Sequence, residues 1–380
     1  MIWNSRVIEP LKRREFMGTL LTGIVVGSSR LMGKDTMKDP MEAAFQLIQA
    51  EVDTGTLESA VLLVHKDGVN ESRAFGKART PQSIFLLASI TKPMTATGLM
   101  RLVDRGGLSL SDRVVKFIPE FSEGDRKEIT LKHLLTHTSG LPDQLPENDS
   151  LRKRHAPLSE FVERAVRTPL LFKPGTQYHY QSMGFLLAAE MVERITHMNF
   201  PDFMREEVFR PLGMNRSAMD LGPFDLKATM RSQTEFAAPE SGAGSEDSKD
   251  WDWNSPYWRN LGAPWGGAHS TAIDVFRFLD SFLNPDGKVL SEATARLMIQ
   301  NHNQGLDTRR GLGFALGPKG FGQHCSESSF GHGGSTGTLA WADPVTKRSC
   351  VLLTSLPARK SRSLILEPVG DLVSAPKVGV

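Results

Sequence analysis

Cysteine, surplus charge and long apolar runs are all scarce in this chain of 380 residues. Two cysteines, Cys325 and Cys350, cannot make a disulfide framework, and no C-x-x-C or Cys/His spacing offers a structural zinc site. The pair can bridge in an oxidising compartment or stand as two unpaired, half-buried thiols, and the sequence favours the second. Lys and Arg number 45 against 43 Asp and Glu, a net charge of +2. That surplus lies wholly within residues 1–29, where Arg6, Lys12, Arg13 and Arg14 face Glu9 and Glu15. A nucleic-acid binder would show a clustered basic excess in its folded part, so no nucleic-acid partner is expected. No stretch of 18 apolar residues occurs, so no stable membrane span is expected once a signal is removed. No internal repeat is visible, which excludes solenoids and propellers. What is present is ordinary globular composition, 39% hydrophobic and 23% charged. The length suits one large domain with a substantial insertion, because single cores stop growing near roughly 250 to 300 residues.

The N-terminus reads as an address. Lys12-Arg13-Arg14-Glu15-Phe16-Met17 precedes the apolar run Gly18 to Val26 and the small residues Gly27-Ser28-Ser29, the layout of a secretory signal. The paired arginines followed by x-Phe resemble the twin-arginine export motif. Residues 1–29 are therefore expected to be an export signal and the product to be periplasmic. The apolar run is shorter than the roughly 20 residues a membrane span requires.

Beyond it, Met41, Ala44, Phe45 and Ile48 stand at helical spacing behind Pro40, predicting a helix from Asp39 to about Thr54. Ala60 to Val64, the turn Lys66-Asp67-Gly68 and Glu71 to Gly76 read as strand, turn, strand. A helix is predicted from Ile90 to Arg105, stopped by Gly106-Gly107, and another from Ser270 to Leu283. Residues 112–213 are helix and loop in character, and 217–265 a long loop with an aromatic cluster. Short strands return at Gly311 to Leu316, Thr338 to Trp341 and Cys350 to Thr354, before an amphipathic segment around Leu364 to Leu372. Strands at both ends with helices between predict an α+β fold: an antiparallel sheet assembled from both chain ends, flanked by helices, with an inserted, mostly helical part. The folded domain is expected over 38–375, its sheet part at about 38–105 and 270–375 and its inserted part at about 106–269. The active site would lie between them.

Ser89-Ile90-Thr91-Lys92 opens the helix predicted from Ile90. A Ser and a Lys three apart share a helix face. A desolvated Lys can lose its proton and serve as base for the hydroxyl, and the helix N-terminus offers N–H groups to an oxyanion. By itself the motif also fits a helix-capping Ser beside an exposed Lys.

The surrounding blocks decide between these readings. With Ser89 and Lys92 come Ile129-Thr130-Leu131-Lys132-His133-Leu134-Leu135-Thr136-His137-Thr138-Ser139-Gly140-Leu141-Pro142, then Lys173-Pro174-Gly175-Thr176 ahead of Tyr180. Val208-Phe209-Arg210-Pro211-Leu212-Gly213-Met214, Gly266-Gly267-Ala268-His269-Ser270-Thr271 and Phe330-Gly331-His332-Gly333-Gly334-Ser335-Thr336-Gly337 follow. In these blocks, in order from about 40 to 356, the chain resembles the serine β-lactamase and penicillin-binding-protein superfamily, in its class C and family VIII carboxylesterase branch. The resemblance implies Ser89 as acylated nucleophile, Lys92 as its proton acceptor and Tyr180 as proton shuttle. Lys92 is expected to depress the phenol's pKa. His332-Gly333-Gly334 takes the place of a Lys-Thr-Gly triad as a polar or cationic wall, the two glycines letting substrate lie against the strand edge. The Ser335 and Ser89 amides would form the oxyanion hole. Where the family's Y-x-N motif has Asn, this chain has Ser182. A shorter side chain without an amide donor holds amide substrates less well and favours esters.

Three other patterns compete. Gly333 to Gly337 matches the G-x-S-x-G nucleophile elbow, which demands strand, turn, helix, whereas Leu339-Ala340-Trp341 reads as a strand. His133 and His137 could face one metal, but the Glu of H-E-x-x-H is missing and helix-end packing accounts for them better. Trp251, Trp253, Tyr257, Trp258 and Trp265 divide between packing and pocket wall. The resulting expectation is a serine hydrolase without metal or cofactor, acting on small or medium acyl esters. The alternatives are a D-alanyl-D-alanine carboxypeptidase or β-lactamase on cell-wall-type amide or peptidoglycan substrates, and a penicillin-binding sensor that acylates without turnover.

Overall fold

The computed structural model describes residues 39–376; the export-type segment at 1–29 lies outside them. Helix α1 spans Pro40–Asp53, started by Asp39, whose carboxylate accepts the Met41 N–H, with Pro40 where no donor is needed. Strands β1 (Ser59–Lys66) and β2 (Val69–Gly76) form a hairpin whose turn residues Asp67 and Gly68 both have positive φ, 53° and 80°. That is the turn whose twist matches paired strands. Two short strands, β3 (Phe85–Leu86) and β4 (His269–Ser270), pair with each other. The C-terminal part supplies β5 (Ala315–Leu316), β6 (Phe330–Gly334), β7 (Thr338–Asp343) and β8 (Arg348–Thr354). The main sheet is antiparallel in the order β2-β1-β8-β7-β6-β5, so the two chain ends meet where β1 pairs with β8.

Both faces of this sheet are covered, which is why β1, β7 and β8 read as continuous apolar runs. Ala60, Leu62 and Val64 point to the outer face, with Leu339, Trp341, Cys350 and Leu352, under α1 and the helix Glu367–Ser374. Val61 and Leu63 point inward with Ala340, Ala342, Val351 and Leu353, against helix α2 (Thr91–Asp104), the helix Ala272–Leu283 and the largely helical region between. Cys325 and Cys350 are free and both buried rather than half-buried. No helix among the described residues is long and apolar enough to cross a membrane.

Two of the shifts from the predicted boundaries have a visible cause. The helix expected from Ser270 starts at Ala272, because Thr271 caps it by accepting the Asp274 N–H and His269–Ser270 is strand. The strand expected over Gly311 to Leu316 is reduced to Ala315–Leu316. Gly313 has φ of 80° and lies so near α2 that a Cβ would meet Ala96 at 2.8 Å, while one on Gly311 would sit 2.3 Å from the Met298 carbonyl. These glycines serve close packing, not strand pairing.

Candidate active site

Ser89 lies on a 3-10 turn, Ala88–Ile90, that runs into α2. Ala88 is held at φ of 48°, a conformation non-glycine residues adopt only when their surroundings impose it. The surroundings are visible. Thr336 and Thr338 hydroxyls donate to the Leu86 and Leu87 carbonyls, each at 2.8 Å, tying the β6–β7 hairpin to the chain leading into Ser89. From the other side the Leu87 N–H donates to the Ala268 carbonyl (2.8 Å) and the Ala268 N–H to the Thr91 hydroxyl (3.1 Å).

Lys92, in the first turn of α2, is 1% exposed. Its Nζ donates to the Trp265 carbonyl at 3.0 Å and lies 3.2 Å from Ser89 Oγ. Burial pulls the amine down to about 7; Asp143 opposes that shift and Arg310 adds to it. Near neutral pH a large fraction is therefore free amine with a lone pair for the Ser89 proton.

Tyr180 lies on the far side of Lys92, whose Nζ is 4.8 Å from its ring centre. The phenol is pushed above its ordinary value, chiefly by burial, against the pull of Ser89 and Arg310. The expected depression by Lys92 is thus corrected: desolvation outweighs the cationic field, and Arg310 supplies that field. Tyr180 is a neutral hydroxyl, suited to give a proton rather than to act as phenolate. His137, fully buried at φ of 62°, stacks on Tyr180 at 4.6 Å and accepts the Gln181 N–H on Nδ1 (3.1 Å). His133 instead caps the helix Leu131–Leu135, its Nδ1 accepting the Thr130 N–H. Helix-end packing accounts for both: His137 is the left-handed residue past the C-cap Thr136, with the Thr138 N–H donating back to the His133 carbonyl at 3.0 Å, and from there its ring reaches Tyr180.

His332 on β6 is 6% exposed, and its Nδ1–H donates to the Gly333 carbonyl at 2.7 Å. Burial, with Arg310 and Lys92 close by, holds it well below its ordinary pKa. It is a neutral ring presenting Nε2 as an acceptor, which corrects the cationic reading of this wall. β5 pairs only with Phe330 and Gly331, so the outer edge of His332–Gly334 carries no strand among the described residues. The two glycines differ. Gly333 is open, with nothing but the Thr338 carbonyl at 3.7 Å from a Cβ, whereas a Cβ on Gly334 would lie 2.4 Å from the Leu87 carbonyl. Gly333 is therefore the one a substrate can lie along; Gly334 lets the hairpin touch the Ser89 turn. Ser335 is exposed in the turn between β6 and β7, a strand–turn–strand setting and not a nucleophile elbow.

Ser182 turns to a partner the sequence did not point to. Its hydroxyl donates to Asp143 Oδ1 at 2.7 Å. Arg310 was also missed: it donates to the Tyr178 hydroxyl at 2.6 Å and lies 5.7 Å from the Tyr180 ring centre. Nothing in its local sequence marks it, while Asp143 at least directly follows the Leu141-Pro142 block. Ser89, Tyr180, Ser182, Asp143, Arg310 and His332 line one cleft of about 710 Å³, walled further by Trp253, Trp258 and Trp265. Trp251 and Trp258 instead stack on Arg152, at 5.2 and 4.1 Å, so Trp258 does both jobs. A second cleft of about 620 Å³ near Asn199 has no comparable nucleophile and base; of its charged side chains, Asp202, Arg205, Glu206 and Arg210 form ion pairs among themselves.

Comparison with known proteins agrees with this architecture. Penicillin-binding protein 4 of Amycolatopsis lactamdurans is 34% identical over 244 residues, 62% of this chain and 61% of that protein. Esterase EstB of Burkholderia gladioli is 35% identical over 157 residues, 37% of this chain and 40% of the esterase. The chain thus spans at most about three fifths of the length of these curated relatives. In fold it is similar to EstCE1, a hydrolase with promiscuous acyltransferase activity, with a TM-score of 0.73 at 22% identity, covering 89% of this chain and 99% of that one. A family model described as Beta-lactamase matches residues 44–368, and the chain belongs to that family, with the fold of the serine β-lactamase-type hydrolases.

Proposed function

We propose that this chain is an exported carboxylesterase that forms an acyl-enzyme on Ser89 and acts on small or medium acyl esters. The observation that carries it is the buried Lys92 amine 3.2 Å from Ser89 Oγ, with its pKa drawn down to about 7. Free Lys92 takes the Ser89 proton as Oγ attacks the ester carbonyl, and the Ser89 and Ser335 amides stabilise the oxyanion. The carbon–oxygen bond to the alcohol breaks as that oxygen takes a proton from Tyr180, which Lys92 then reprotonates. Water repeats the attack on the acyl-enzyme, releasing the acid and restoring Ser89. Esters are favoured over amides because the Ser182 proton is already given to Asp143, so no donor at that position steadies an amide carbonyl. The likeness to EstB supports this preference. The likeness to penicillin-binding protein 4 keeps a D-alanyl peptidase as the second reading.

Hydrolysis of a short-chain p-nitrophenyl ester by the native chain and by Ser89→Ala tests the proposal. The variant should lose at least ~10³-fold in kcat/KM, as expected for a removed nucleophile. Equal activity in both would place the nucleophile elsewhere. Inactivity of both would sink ester hydrolysis, and a labelled penicillin adduct that never turns over would then identify a sensor.

A further inference from the structure

The cleft lining mixes charges. Arg309 is paired with Glu327, and Arg152 is capped by Trp258 at 4.1 Å and donates to the Glu240 carbonyl at 2.6 Å. Arg310, like Asp143, acts on both Lys92 and Tyr180. Of the carboxylates in the lining, Asp143 is the one whose charge is felt at both Lys92 and Tyr180. It makes no ion pair among the described residues; its side-chain hydrogen bond is the one Ser182 donates to Oδ1. Ser182 is 3% exposed and its amide N–H donates to the Asp143 carbonyl, so both backbone and side chain fix the carboxylate in place.

Asp143 and Ser182 together offer substrate acceptors: the remaining Asp143 lone pairs and those of Ser182 Oγ. A neutral acyl chain would leave them unanswered, and an anionic one would be repelled. We infer that Asp143, steadied by Ser182, seats an ammonium group borne by the acyl part of the substrate next to the scissile carbonyl, so that the substrates are aminoacyl esters. Such a group gains a charge-assisted hydrogen bond beside Ser89. This inference rests on the hydrolase reading above.

The test compares alanine ethyl ester, as each enantiomer, with ethyl isobutyrate, in which a methyl replaces the ammonium. Acid release at pH 7 is followed for the native chain and for Asp143→Asn. An α-amine is largely protonated there, given a pKa of about 7.7 to 8.0. Because the ammonium also activates the ester chemically, the quantity read is the amine-over-methyl ratio of kcat/KM in the native chain relative to the same ratio in the variant. That quotient should be about 10 or more for one enantiomer, the size of a hydrogen bond to a charged group. A fold-independent check uses the native chain alone: alaninamide should inhibit hydrolysis of a p-nitrophenyl ester at least about tenfold better than isobutyramide. A quotient near one, with alaninamide no better an inhibitor, overturns the inference while ethyl isobutyrate hydrolysis leaves the esterase standing. If the native chain cleaves no ester at all, the hydrolase reading falls and this inference with it.

Discussion

On the outer face of the main sheet, Leu62 of β1 lies in one apolar cluster with Trp341 and Leu352 beneath α1 and the C-terminal helix, and a buried polar atom left without a partner in that cluster is the neutral Trp341 Nε1. On the inner face the same strands lead to Lys92, His137 and His332, all within 6% of full burial, with the half-buried Arg310 beside them. Their leftover polar atoms belong to ionisable groups: His137 Nε2, His332 Nε2 and Arg310 Nε and Nη1. One sheet thus carries an apolar layer that can only stabilise and a polar layer that costs free energy to bury. The difference teaches that the outer layer holds the inner one in place. A base with its pKa near neutrality exists only because burial denies the ammonium water, and burial is maintained by packing elsewhere.

The sharpest way to separate the layers is Lys92→Met. It should lower kcat/KM by roughly 10³-fold, within the range for a removed general base, yet raise stability. The sign follows from linkage. The folded Lys92 pKa is about 7, against an unfolded value of about 10.4. Between the two the unfolded chain binds more protons, so the native chain gains stability as pH rises through this window. Below pH 7 the full cost of burying the charge is present. The Met variant should therefore exceed native Tm most at pH 6 and least near pH 10. The native kcat/KM should also rise with pH through about 7, as the free amine appears. A Met variant less stable than native at pH 6 would show that the buried amine is not under strain.

The converse is Leu62→Ala on the outer face. Leu62 is fully buried, and its truncation should cost about 2–5 kcal/mol of stability, measured by denaturant unfolding. The kcat/KM of the fraction that remains folded should match native, because Leu62 itself does not line the cleft. A drop in kcat/KM as large as the Lys92 effect would mean that the outer layer tunes the site directly rather than merely supporting it.

How far each layer could be read beforehand follows from the range of its interactions. The outer layer was legible, since the spacing of Ala44, Phe45 and Ile48 and the apolar runs of β1 and β8 are local patterns that burial on both faces imposes. Ser89 and Lys92 were legible for the same reason, being one helical turn apart. Arg310 meets Tyr178 across 132 residues and Ser182 meets Asp143 across 39, and no periodicity reports a contact of that kind. The neutral state of His332 and the raised phenol of Tyr180 were misjudged because both depend on how deeply the cleft buries them, a property of the assembled fold. Gly311 and Gly313 were read as strand because an alternating pattern looks alike whether its small residues pair with a neighbour or let a helix approach.

The smallest expected effect compares two glycines that the sequence shows as equally plain turn residues. Gly68 and Gly337 both have positive φ, 80° and 91°, so alanine carries the left-handed penalty of roughly 1 kcal/mol at either. At Gly68 nothing lies within 4 Å of an added Cβ, whereas at Gly337 the Leu356 carbonyl would stand 1.8 Å away. Gly68→Ala should therefore cost only the conformational term, about 1 kcal/mol by denaturant unfolding, with ester turnover unchanged. The β1–β2 hairpin lies far along the sheet from β6, with β8 and β7 between. The β6–β7 hairpin has no such freedom, because the turn that holds Ser335 is packed against the chain that follows β8. A Gly68→Ala cost of several kcal/mol, or a change in turnover, would show that the distant edge of the sheet is coupled to the site after all.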